Sequence, residues 1–216
     1  MKKLLNIILF TFVCSLAFSI GDPYMEAMKE GMAMLDQARN SDDYLAAANQ
    51  FERISNVSAD KWYPAYYTAY ARAVAASMIN EPIRKDELLD QAEISLQKAA
   101  GLDHDKSEVS TLQGFIHMLR IAVDPGTRGQ QYSMMSSASL QKALILNPEN
   151  PRAMYMQAQL SYGTAQFFGS DTSDACATID RAITIFEKHE KEPSSDPFAP
   201  SWGKIFAQSF KKRCID

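Results

Sequence analysis

The chain has 216 residues, 46% of them hydrophobic and 22% charged, with a formal net charge of −4. That balance excludes a disordered or membrane-embedded chain, and the length suits one domain with a sizeable core. An acidic body without a basic stripe also excludes nucleic-acid binding, which needs positive charge against phosphate.

Met1, Lys2 and Lys3 give a positive start, an apolar run from Leu4 to Phe18 follows, and Ala17 and Ser19 are small residues ahead of a cleavage point. Residues 1–19 therefore read as a secretory signal, with Ile20 first in the mature protein and Gly21 as the fallback. The run to Ile20 falls short of the roughly 20 apolar residues of a span, so no stable membrane span is expected after cleavage. The mature protein is expected in the periplasm or outside the cell, and losing Lys2 and Lys3 takes its formal charge from −4 to −6. Cys176 and Cys214 remain, an even number for an oxidising compartment, and they could pair.

The first predicted helix runs from Tyr24 to Arg39 and carries Met25, Met28, Met32 and Leu35 on one stripe, which suits the core of a terminal hairpin. Asn40-Ser41-Asp42-Asp43 offers a turn and a cap, and the next helix places Ala47, Phe51 and Ile54 on one face. The pattern then recurs. A helix from Pro64 to Met78 is broken off by Asn80-Glu81-Pro82 and followed by one bearing Ala92, Leu96 and Ala99. A helix from Ser107 to Ala122 is broken off by Asp124-Pro125-Gly126 and followed by one bearing Ser136, Leu140 and Ala143. Pro148 and Pro151 bracket the next boundary, after which Pro151 to Tyr162 is helical, Gly163 to Ser170 reads as a mobile connection, and a further helix bears Ala175, Ile179 and Ala182.

The large members of these sets, Phe51, Leu96, Leu140 and Ile179, lie 45, 44 and 39 residues apart, so one supersecondary unit recurs four times over residues 22–190. Residues 191–200 are polar and proline-rich and read as a linker. Trp202, Ile205, Phe206 and Phe210 then follow at helical spacing, which predicts a capping helix over residues 201–214.

Leu140, Ala143 and Pro148, with Gly114 and Ala69 as the small residues of first helices, resemble the tetratricopeptide repeat family across about Tyr24 to His189. The resemblance implies an all-α superhelix of helical hairpins. The family's period is about 34 residues, so each unit here carries about five to eleven more, expected in the loop between its two helices. Carried over by register, the resemblance places Tyr63, Tyr66 and Tyr70, then Thr111 and Phe115, then Arg152, Tyr155 and Tyr162 on the concave side. Trp62, Tyr63, Tyr66, Tyr67 and Tyr70 put five rings in nine residues, more than one buried stripe requires, so some are expected to be exposed. The alternative is that these rings fill space between helices rich in alanine.

No pattern in the chain carries catalysis. His104, His117 and His189 stand apart with no metal-ligand spacing, Asp103-His104-Asp105 suits a helix cap, and no nucleophile elbow or phosphate-binding loop occurs. The expectation is a non-enzymatic scaffold with no cofactor and no metal, binding a peptide or protein partner through the tyrosine groove. Two alternatives stand beside it: a small-molecule binding or catalytic protein that uses the groove as a pocket, and a structural subunit of an envelope assembly. Cys176 to His189 and Ser201 to Cys214 each span 13 residues, about 20 Å of helix. Antiparallel packing of the capping helix on the last hairpin would bring the two cysteines together, two unpaired thiols being the alternative.

Overall fold

A computed structural model describes residues 22–214, and the predicted signal at 1–19 lies outside them. The described residues form nine α-helices and no strand, an all-helical, repeat-like stack: α1 (Pro23–Gln37), α2 (Ser41–Val57), α3 (Trp62–Ser77), α4 (Pro82–Ala100), α5 (Lys106–Ile121), α6 (Pro125–Leu146), α7 (Pro151–Phe168), α8 (Ser173–Lys191) and α9 (Lys204–Lys211). A 3-10 turn over Lys212–Cys214 follows. Among the described residues no helix is long and apolar enough to cross a membrane.

Helix starts follow from local chemistry. Asp22, Glu81, Asp124 and Asn150 each stand before a proline, and each side chain accepts hydrogen bonds from N–H groups of the helix it opens. The proline at the first helical position lacks an N–H that would have had no partner there, and its fixed φ already suits the helix. Asn40 and Asp43 cap each other reciprocally at the start of α2. Because these signals restart the helix at once, the connections inside the hairpins are short, at 38–40, 78–81, 122–124 and 169–172. The expectation of long loops within the hairpins is thereby corrected: the extra residues lengthen the helices, α6 reaching 22 residues. The expected mobile connection at Gly163 to Ser170 is corrected too, since α7 continues to Phe168 and stops at Gly169, whose φ of 65° suits a glycine.

All four recurring sets are buried, from Ala47, Phe51 and Ile54 in α2 to Ala175, Ile179 and Ala182 in α8. The small residues of the first helices let the large ones approach. A Cβ on Gly31 would lie 2.6 Å from the Phe51 ring, and one on Gly114 would lie 2.6 Å from Leu140. Burial of this kind stabilises by about 1.5–3 kcal/mol for each large side chain.

The C-terminal part does more than cap. From α8 the chain runs back across α3, where the buried Phe198 meets the Tyr24 and Tyr63 rings edge-on, before α9 sets Ala207 and Phe210 against α7 and α8. Phe115 and Trp202 pack against both of the core clusters that the stack contains. A disulfide joins Cys176 near the start of α8 to Cys214, with Cα atoms 5.7 Å apart.

Candidate functional site

The tyrosines expected to line an open groove are brought together, but under cover. Tyr66 and Thr111 have no exposed surface, and Tyr70, Arg152, Tyr155 and Tyr162 are buried; Tyr63 and Phe115 are half-buried. Residues 196–202 lie over α3. Tyr63 donates to the Asp196 carboxylate at 2.6 Å, Tyr67 donates to the Phe198 carbonyl at 2.9 Å, and the Trp202 indole N–H donates to the Tyr66 hydroxyl at 2.9 Å. Tyr70 stacks on Trp202 with ring centroids 4.8 Å apart. The excess of rings in α3 thus faces a second surface of the same chain, and the expectation that some stand free gives way to half-burial at most.

Beneath them lies a closed polar network. Arg152 Nε donates to both Glu108 oxygens, at 3.0 and 2.9 Å, and its Nη2 donates to Oε1 at 2.8 Å. Asn150 Nδ2 donates to the same carboxylate at 2.7 Å, while its Oδ1 caps α7. Tyr66 donates to Glu108 Oε2 at 3.1 Å, and Thr111 donates to the Ser107 carbonyl at 2.8 Å. Burial pushes the Tyr66, Tyr67 and Tyr70 hydroxyls above their ordinary value, so they stay neutral donors. Arg152 is held charged by Glu108 against its own burial. The buried Arg152 and Glu108 charges compensate each other within the chain, an arrangement that sets the C-terminal segment in one register.

Open space lies elsewhere, between α6 and the second half of α7. A groove of about 470 Å³ has Ser133, Met134 and Ser137 on its α6 wall, and Gln157, Leu160, Thr164 and Phe168 among the residues of its α7 wall. No charged side chain lines it. Phe168 is 73% exposed and Phe167 84%, their rings edge to face at 5.1 Å, and Met134 is 60% exposed. Apolar surface clustered at the mouth of one groove marks a binding surface, unlike apolar residues scattered singly. Its volume falls in the range of small-molecule sites, about 300–1,000 Å³. Within the groove Gln157 Oε1 is buried without a partner, while its Nε2 donates to Ser161 at 3.3 Å.

Sequence reasoning missed this groove because it took Gly163 to Ser170 for a connection. Two adjacent phenylalanines before a glycine were the available signal. Of the histidines, His104 stands beside Asp105, which caps α5, His117 is buried against α6, its pKa lowered by that burial, and His189 is exposed. Among the described residues no group of three or more His, Cys, Asp or Glu side chains is placed to hold a metal ion.

No protein-family model matches the chain and no curated protein matches it. Among solved structures it is similar to the HusA haemophore from Porphyromonas gingivalis, at 34% identity, covering 90% of this chain and 94% of that one, with a TM-score of 0.80. The relative is a binding protein and not an enzyme. That relative also corrects the expectation of a peptide or protein partner, because a haemophore takes a small molecule, and the surface meant for that partner is filled by residues 196–202. With such identity over nearly the whole of both chains, this protein belongs to the family of the HusA haemophore.

Proposed function

We propose that the protein is an exported, non-enzymatic carrier of haem or a closely related porphyrin, held in the groove between α6 and α7. The observation that carries this reading is the uncharged groove of about 470 Å³ lined by the exposed Phe168 and Met134, with the exposed Phe167 ring edge to face on Phe168. A porphyrin is a flat apolar plate with a polar edge. Phe168 and Leu160 offer it a face to lie on, and the serine and threonine hydroxyls around them accept or donate at its edge. Haem is cargo here. Of the side-chain types that ligate haem iron, the groove wall offers one, the thioether of Met134. Affinity therefore rests on contact with the macrocycle.

Titrating the mature protein with haemin and following the Soret band tests this reading. Saturable binding is expected, and Phe167→Ala with Phe168→Ala should weaken it by about 2 kcal/mol or more while helix content stays unchanged. Because no charge lines the groove, affinity should vary little with salt. A spectrum that never saturates, or a double variant that binds as tightly as the parent, sinks the assignment. We further propose that the four hairpins are degenerate tetratricopeptide units, supported by the close seating of Leu140 on Gly114.

A further inference from the structure

The α7 wall of the groove is nearly unsupported on the groove side. Beyond Leu160, residues Ser161, Gly163, Thr164, Gln166, Phe167 and Phe168 are all exposed. What fixes this half of α7 lies behind it. Tyr162 is buried, donates to the Arg213 carbonyl at 3.0 Å, accepts from Gln166 Nε2 at 3.1 Å, and meets the Phe210 ring edge-on at 5.2 Å. The Arg213 guanidinium lies over the same Phe210 ring at 5.4 Å. One residue later Cys214 is bonded to Cys176, near the start of α8, and α8 follows α7 after residues 169–172 and shares a buried core with it. These links form a closed ring: α7, the short turn, the start of α8, the disulfide, residues 210–213, and Tyr162 back to α7. The disulfide is the covalent link that fastens the C-terminal turn into that ring.

Resting on the porphyrin reading above, we propose that the Cys176–Cys214 bond governs the groove: with the bond intact the Tyr162 clamp holds the α7 wall in place, and on reduction the wall loosens and cargo is released. Both cysteines are half-buried, so a thiolate reagent reaches them. A dithiol reductant attacks one sulfur through a mixed disulfide and then closes on itself. Two electrons and two protons pass to the protein, leaving two thiols, and the reductant leaves as its cyclic disulfide. Freed of Cys214, residues 210–213 are held by the apolar contacts of an eight-residue helix and by the ion pairs of Lys211 with Asp180 and Lys204 with Glu190. Helices that short are marginal by themselves. Tyr162 then loses a fixed acceptor, and Gln166, which donates to Tyr162, loses its own anchor two residues short of Phe168.

The test uses a metal-free protoporphyrin, so that freed thiols cannot capture iron, with fluorescence quenching as the readout. The oxidised mature protein, the same protein reduced by a dithiol and then reoxidised, and a Cys176→Ala, Cys214→Ala chain are each titrated. Reduction should weaken binding about tenfold, within the range of coupling between sites, and reoxidation should restore it. Tyr162→Phe should show part of that loss with an unchanged melting temperature, a result that general destabilisation does not give. Should the double-alanine chain lose helix content, the reduced and reoxidised parent decides. If reduced and oxidised protein bind equally while Phe167→Ala with Phe168→Ala still weakens binding, the redox link is overturned and the groove assignment stands. If the oxidised protein takes up no porphyrin, both fall.

Discussion

Tyr66 carries the logic of the fold in one side chain, with its ring in the core, its hydroxyl donating to Glu108, and the Trp202 indole donating to it in turn. Burial raises the pKa of such groups, to about 12 for Tyr155, and well above the ordinary value for Tyr66, Tyr67 and Tyr70. In the unfolded chain these hydroxyls ionise at the usual value of about 10. Above that pH the unfolded state sheds protons that the native state keeps, so the stability that these groups contribute is whole below about pH 10 and is lost as pH climbs toward 12 and beyond. The melting temperature should therefore hold steady up to about pH 10 and then fall steeply. Tyrosinate absorbance should appear together with the loss of helix. If most of the tyrosines ionise while the helices remain intact, the buried placement is refuted. The rings themselves were legible in the sequence, as an excess over one buried stripe. Their cover was not, because Phe198 and Trp202 lie more than a hundred residues away and nothing local to α3 announces them.

At the scale of elements, the recurring small-large-small sets and the acid-proline or asparagine-proline starts made hairpins readable, since a cap and an apolar face are properties of adjacent residues. What lay outside that reach was the far end of α7, where Phe167 and Phe168 continue a helix whose packed partner is missing on one side. Two glycines near this region differ in what they do. Gly163 sits inside α7 with nothing within 4 Å of an added Cβ. Gly163→Ala should raise stability by about 0.5–1 kcal/mol through backbone entropy alone. Gly203 has a φ of 109°, and a Cβ there would stand 2.9 Å from Phe186 and 3.2 Å from Arg152. Gly203→Ala should lower stability by about 1–3 kcal/mol, from strained backbone and crowding together. Urea midpoints of the two variants, measured side by side, check both signs, and equal midpoints would show that the turn at Gly203 tolerates a side chain.

At the scale of the whole molecule, an array of hairpins is ordinarily a chain of neighbours in which each unit feels only the next. Here Trp202 reaches back to Tyr66 and Tyr70, and the Phe198 carbonyl to Tyr67, so the last segment is bound into the second hairpin. Unfolding in denaturant should accordingly be a single transition seen alike by fluorescence and by helix content. Trp202→Ala, costing about 3 kcal/mol, should separate the first hairpins from the rest and broaden or split that transition. Coincident, equally sharp curves for the variant would show that the segment is only a cover.

The same crossing has a consequence for the order in which the protein can come into being. Contacts across more than a hundred residues close late, because the entropy of joining distant parts must be met before they contribute. A growing chain that has reached the third hairpin already holds α3, with its alanines and tyrosines, yet lacks the surface that will face them. Native packing around Tyr66 and Tyr67 thus waits for residue 202 to emerge, so the second hairpin, made early, is among the last parts of the molecule to settle.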